Sequence, residues 1–229
     1  MIFLPSHQQP SSGNEPKVKI CCISSREEAR MAIEFGASAI GLVGHMPSGP
    51  GIISDELITE ISCNTPTHIA TFLLTSETDA EAIIAHQRKV LTNTIQIVDS
   101  LRSGTYKEIR QALPGIKLVQ VIHVRDDQSL DDALEVAPLV DYILLDSGNP
   151  NLAVKELGGT GRTHNWATSR RIVESVGKPV FLAGGLRPDN VRAAVEAVEP
   201  YGIDLCSGVR TNGKLDPFKL EKFFEAVFA

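Results

Sequence analysis

Short apolar runs alternate with longer stretches of helical periodicity along most of the chain. Residues 18–23 form a run of strand type. Residues 25–35 follow with Ala29, Ala32 and Ile33 at helical spacing, before Gly36 stops the helix. The run 39–43 comes next, with Ser54 placed to cap a helix over 55–61. The same alternation predicts strands at 69–74, 95–98, 117–124, 142–145, 180–183 and 203–206. Each is followed by a helix, over 80–87, 106–112, 130–136, 167–176, 191–198 and 215–227 respectively. About eight strand–helix units in roughly 210 residues have the size of a compact barrel, so the expected class is α/β, a single (β/α)8 TIM barrel. An open doubly wound sheet would want fewer strands and a glycine fingerprint after the first, where Cys21-Cys22-Ile23-Ser24 stands instead.

Residues 1–16 break the pattern. They hold Pro5, Pro10 and Pro16 among serines, glutamines, a glycine and an asparagine, and this composition buries little. A flexible N-terminal arm over 1–16 and a barrel domain over 17–229 are expected. The net charge of −6 argues against a nucleic-acid partner or an anionic membrane surface, which need a basic field. It leaves room for a phosphorylated small molecule, because converging backbone N–H groups bind phosphate on an acidic protein. No run of ~18 apolar residues offers a membrane span, and Met1-Ile2-Phe3-Leu4-Pro5 is too short an apolar run for a signal peptide. Cys21, Cys22, Cys63 and Cys206 match neither a CxxC pair nor a zinc set, so a reducing, cytoplasmic setting without a metal is expected. His45, His68, His86, His123 and His164 lack metal-site spacing. His123 reads as a packed, hydrogen-bonded residue of a strand, while His164 and Trp166 stand near a glycine-rich loop. The pattern leaves a monomer and a homodimer open.

Three glycine-containing turns follow the last three strands: Gly158-Gly159-Thr160-Gly161, Gly184-Gly185 and Ser207-Gly208-Val209. Glycine lets the backbone approach an oxyanion and aim N–H groups at it. Barrels of this class often hold phosphate at the loops after strands seven and eight. One helix dipole contributes only ~0.3–1 kcal/mol, so several donors must converge.

Two polar residues stand where a barrel keeps its chemistry. Period-two alternation in Val18-Lys19-Ile20-Cys21-Cys22 sends Lys19 and Cys21 to the inner face, with Cys21 nearer the carboxyl-terminal end. A thiol becomes a usable base when a cation stabilises its thiolate, and Lys19 can supply that cation. Asp146 ends the strand Tyr142-Ile143-Leu144-Leu145-Asp146, where a carboxylate is costly unless paired or used. A thiolate base and a carboxylic acid facing each other could move a proton from carbon while protonating a ring oxygen. That is isomerase chemistry, which needs no metal or redox cofactor.

These residues resemble the phosphoribosylanthranilate isomerase family of tryptophan biosynthesis, whose barrel performs an Amadori rearrangement of an aminoaldose to an aminoketose. The matching features are Lys19-Ile20-Cys21, Leu144-Leu145-Asp146-Ser147, Gly158-Gly159-Thr160-Gly161 with Trp166, Ala183-Gly184-Gly185-Leu186 with Pro188 and Asn190, and Asp204 with Ser207-Gly208-Val209. The resemblance implies Cys21 as general base and Asp146 as general acid. The substrate- and phosphate-binding candidates are Lys19, Gly159, Thr160, Gly161, Gly184, Gly185, Asp204, Ser207, Gly208 and Arg210. Five departures accompany it. Cys22 replaces the glycine of Lys-Ile-Cys-Gly, and Gly51 stands where the family has a carboxylate-binding arginine. Gln96-Ile97-Val98-Asp99 replaces Gln-Leu-His-Gly, Arg210 stands where an acidic residue is usual, and the loop over 148–157 is long. Glycine cannot replace a guanidinium fork. Either Arg210, Arg162 or Lys155 supplies that charge from another direction, or the substrate lacks the carboxylate. The alternatives to the isomerase of phosphoribosylanthranilate are a related isomerase of another phosphosugar and a phosphosugar-binding barrel with little catalysis.

Overall fold

The computed structural model describes residues 15–47, 49–148 and 161–228. All of the expected arm but Glu15 and Pro16, and the loop residues Gly159, Thr160 and Lys155, lie outside them. The eight parallel strands are β1 (Lys17–Ile20), β2 (Ala39–Val43), β3 (Ala70–Thr75), β4 (Thr94–Ile97), β5 (Lys117–His123), β6 (Tyr142–Asp146), β7 (Val180–Leu182) and β8 (Gly202–Leu205). They pair in chain order, and β8 closes on β1 with Lys17 opposite Gly202 and Ile20 opposite Leu205. Helices α1 (Arg26–Glu34), α2 (Asp55–Asn64), α3 (Ala80–Val90), α4 (Tyr106–Ala112), α5 (Gln128–Val136), α6 (Trp166–Ser175), α7 (Val191–Val198) and α8 (Pro217–Phe228) surround them. The (β/α)8 barrel expected from the alternation is the observed fold.

Period-two alternation divides the strand residues into two cores. Val18, Ile20, Ile40, Leu42, Ile143 and Leu145 belong to the cluster that packs the sheet against the helices. Cys21, Val43, Phe72, Leu74, Val121 and Leu144 belong to the second cluster, inside the barrel. Fully burying each of the aliphatic side chains among them contributes about 1.5–3 kcal/mol, and a one-residue slip of a strand would exchange its two sets between cores of different shape. The helices start where short polar side chains cap them. Ser25, Ser54, Asp79 and Asn165 each accept a backbone N–H of the first turn, and Thr105 and Glu108 form a reciprocal box. The expected cap at Ser54 is present, with Leu57 N–H donating to its Oγ at 3.3 Å.

The expected helix over 215–227 begins later, at Pro217. Before it, Arg210–Thr211 (β9) pairs antiparallel with Lys214–Leu215 (β10). Asn212 (φ 51°) and Gly213 (φ 77°) make the turn with two positive φ values, the conformation that Asn-Gly favours in a two-residue hairpin. Among the described residues, no helix is long and apolar enough to cross a membrane.

Candidate active site

At the carboxyl-terminal ends of the strands lies a cavity with an empty volume of about 680 Å³, open to solvent. Cys21, Gln96, Asp146, Gly161, Gly184, Gly185, Asp204 and Ser207 all line it. The two candidates for acid–base work therefore share one mouth with residues from all three late turns. A floor of aromatic rings supports it from below, with Phe181 meeting Phe72 at 5.9 Å, Tyr142 at 5.8 Å and Tyr201 at 5.5 Å between centroids.

Lys19 sits on that floor, fully buried, with its Nζ 5.0 Å from the centre of the Phe72 ring. It donates to Asp204 Oδ2 at 2.8 Å across the β1–β8 seam, where Lys19 and Asp204 are register partners. Burial works against the ammonium charge. The carboxylate of Asp204, then the nearby Cys21, outweigh burial and hold Lys19 above the ordinary lysine range. Gly41 of β2 makes room for this arrangement: a side chain there would begin 2.8 Å from Cys21 Sγ and 3.1 Å from Lys19 Nζ. The expected neighbourhood of cation and thiol is thus present. Burial pushes the Asp204 carboxyl up, against Lys19 and the adjacent Leu205 N–H, and its second oxygen, Oδ1, is buried with no partner in hydrogen-bond geometry.

Asp146, at the end of β6, is 8% exposed. Burial pushes its carboxyl up, against the Ser147 N–H that donates to its Oδ1 at 2.7 Å and against the nearby His123. A buried carboxyl with a raised pKa can hold a proton to deliver. His123 is packed as expected, with Nε2 3.0 Å from the Val98 carbonyl oxygen, although its Nδ1 has no partner.

The glycine turns are packed against one another. A Cβ on Gly185 (φ 62°) would lie 2.6 Å from the Arg162 backbone, and one on Gly208 would overlap the Leu186 carbonyl oxygen. Gly184 (φ 84°) is backed by His164, whose Nδ1 lies 3.0 Å from where a Cβ would stand. The Cβ position of Gly161 is 3.9 Å from Ser207 Oγ. Side chains are excluded from this corner, and backbone comes close to the cavity.

Arg210 takes a different place from the one expected. Its Nη1 donates to both Glu28 oxygens at 2.9 and 3.1 Å, and its Nη2 to the carbonyls of Cys21 (3.1 Å) and Cys22 (2.6 Å). With 8% of its side chain exposed, it pins the end of β1 to the hairpin and does not line the cavity. Three polar lining residues, Gln96, Cys22 and Cys206, were not among the site candidates drawn from the sequence. Gln96 was legible, since alternation along Thr94, Gln96 and Val98 turns it inward. Cys22 and Cys206 were not, because their proximity joins β1 to β8. Interaction with the neighbouring Cys206 raises the Cys22 thiol, and the same pairing lowers that of Cys206. Among the described residues, no group of three His, Cys, Asp or Glu could hold a metal ion, and none of the lining side chains is Lys or Arg.

The family model of N-(5′-phosphoribosyl)anthranilate isomerase matches residues 18–226. An isomerase of that name from Methanocella arvoryzae is 33% identical, over 91% of this chain and 95% of its own. A second, from Methanosarcina mazei, is 34% identical, over 90% of this chain and 92% of its own. Among solved structures, the isomerase from Thermotoga maritima superposes with a TM-score of 0.76 at 28% identity, covering 93% of this chain and 98% of that one. A phosphoribosyl anthranilate isomerase in complex with reduced 1-(o-carboxyphenylamino)-1-deoxyribulose 5-phosphate gives 0.74 at 26%, with the same coverage. The chain belongs to the N-(5′-phosphoribosyl)anthranilate isomerase family and is an isomerase, an intramolecular oxidoreductase of tryptophan biosynthesis.

Proposed function

We propose that the cavity converts N-(5′-phosphoribosyl)anthranilate to the corresponding 1-amino-1-deoxyketose, with Asp146 as general acid and Cys21 as general base. Asp146 gives its proton to the ring oxygen as the C1′–O bond breaks, leaving a protonated imine. The Cys21 thiolate takes the proton from C2′, and the electron pair of that C–H bond flows into the imine. The resulting enolamine tautomerises to the ketone. C2′ is oxidised and C1′ reduced within one molecule, so the electrons balance without an external acceptor. Lys19, held charged by Asp204, keeps a positive charge near the thiol throughout. The turns at Gly161, Gly184–Gly185 and Ser207–Gly208 hold the phosphate, with Gly159 and Thr160 as further candidates outside the described residues.

One observation carries this reading: Cys21 and Asp146 line the same cavity as the late glycine turns, at one end of the barrel. The test is turnover of phosphoribosylanthranilate, followed as loss of anthranilate fluorescence. Cys21→Ala and Asp146→Asn should each lower kcat by about 10²–10⁴-fold while leaving the fold intact. Undiminished turnover in both variants would overturn the acid–base assignment.

A second reading has its own support. Gly51 adopts φ 81°, and a side chain there would begin 2.5 Å from Cys22 Cβ. With no Lys or Arg among the described lining residues, the mouth also suits a phosphoribosylamine without the aryl carboxylate. Failure to turn over phosphoribosylanthranilate, together with a rise in Tm on adding a phosphosugar, would favour that reading.

A further inference from the structure

We infer that Gln96 positions the substrate, its side-chain carboxamide accepting a hydrogen bond from an N–H or O–H of the bound aminosugar. The inference rests on the reading of the cavity as a phosphoribosylamine site. Gln96 lies in register between Leu74 of β3 and Val119 of β5, two aliphatic residues with no donor to offer. It is 4% exposed and lines the cavity, and its Oε1 is buried without a hydrogen-bond partner. An amide oxygen in that state has given up water and received no donor in return, whereas methionine or leucine would fill the volume without the loss. Packing therefore does not account for a glutamine here.

A ligand does. Asp204 Oδ1 is a second buried acceptor without a partner on the same cavity, and β8 lies opposite β4 in a ring of eight strands. Two residues with buried acceptor oxygens on opposite strands of one mouth fit a ligand that carries donors along its length. An opened phosphoribosylamine does so, with hydroxyls on the sugar and an N–H at its far end. The glycine turns lie on the β6–β8 side, so Gln96 meets the part of the ligand remote from the phosphate, near the amine nitrogen. There it would hold the C1′–N unit in plane for proton removal from C2′.

Gln96→Met keeps side-chain length and removes the acceptor. The expected result is a Tm equal to that of the unsubstituted chain or about 2–4 °C higher, with kcat/KM for phosphoribosylanthranilate roughly 10–100-fold lower. A structural glutamine, satisfied internally or by water, gives the opposite pattern: a lower Tm with kcat/KM within threefold, which would overturn the inference. Gln96→Leu serves as the second variant, and failure of both to fold would equally assign a structural role. If the unsubstituted chain turns the substrate over and Gln96→Met does so equally well, this assignment alone falls. Absence of turnover in the unsubstituted chain would remove the substrate reading and this assignment with it.

Discussion

His164 joins the corner of the late glycine turns to the pH dependence of folding. Its Nε2 lies 2.8 Å from Ser169 Oγ, and Ser169 in turn donates to the Asn165 carbonyl at 3.3 Å. The imidazole N–H is therefore on Nε2, and Nδ1 is a bare acceptor behind Gly184. Burial pulls the pKa from 6.5 to about 4. The native imidazole stays neutral while the unfolded chain takes up a proton below 6.5, so native stability is full above 6.5 and falls as pH drops towards 4. Integrating that 2.5-unit difference gives a loss of about 2 kcal/mol at pH 5 and about 3 kcal/mol near pH 4. For a chain of this length, 2 kcal/mol corresponds to about 4–8 °C in Tm. His164→Gln preserves a polar side chain beside Ser169 and abolishes the titration. Scanning calorimetry of both proteins from pH 7.5 to 5 should show the parent losing about 4–8 °C more than the variant. Parallel Tm profiles would refute the argument, because they would mean that the native imidazole protonates as readily as the unfolded one.

Two further outcomes are expected from the inner wall. Gly51→Ala forces a Cβ to 2.5 Å from that of Cys22 at a φ of 81°, so urea unfolding should register a loss of about 1–3 kcal/mol. Adding Cys22→Gly should restore part of it, with a coupling energy of about 0.5–3 kcal/mol; strict additivity would contradict the contact. Lys19→Met leaves the Asp204 carboxylate buried without its cation and should cost about 3–5 kcal/mol. In the same denaturation assay Lys19→Met/Asp204→Leu should be more stable than Lys19→Met alone, and equal stability would show that the pair is not coupled.

The barrel was legible because strand and helix periods differ and each recurs eight times, so local errors do not accumulate. Helices over 106–112 and 191–198 and the strand over 39–43 fall within the expected bounds. The inward placement of Lys19 and Cys21 followed from alternation alone. The misplaced features are long-range. Arg210 looked like a phosphate ligand beside a glycine turn, yet its partner Glu28 is 182 residues away in sequence, and no local pattern encodes that ion pair. The hairpin before α8 is a different case. Its Asn212-Gly213 signal was present in the chain and overshadowed by the apolar run that follows.

The two departures at residues 22 and 51 are physically one change. Cys22 holds φ 60°, a conformation that costs a non-glycine residue about 1–3 kcal/mol unless its surroundings over-determine it. They do so here: Arg210 grips the carbonyls on both sides of residue 22, and the side chain is buried beside Cys206. The space that the Cys22 side chain fills is the space a side chain on residue 51 would need. Glycine at 22 leaves room for a long residue at 51, and cysteine at 22 requires glycine at 51. A guanidinium cannot enter the mouth from this loop while Cys22 is present. Under the proposed function, the described wall then offers neutral groups to orient the amine end of the substrate, the carboxamide of Gln96 on β4 among them.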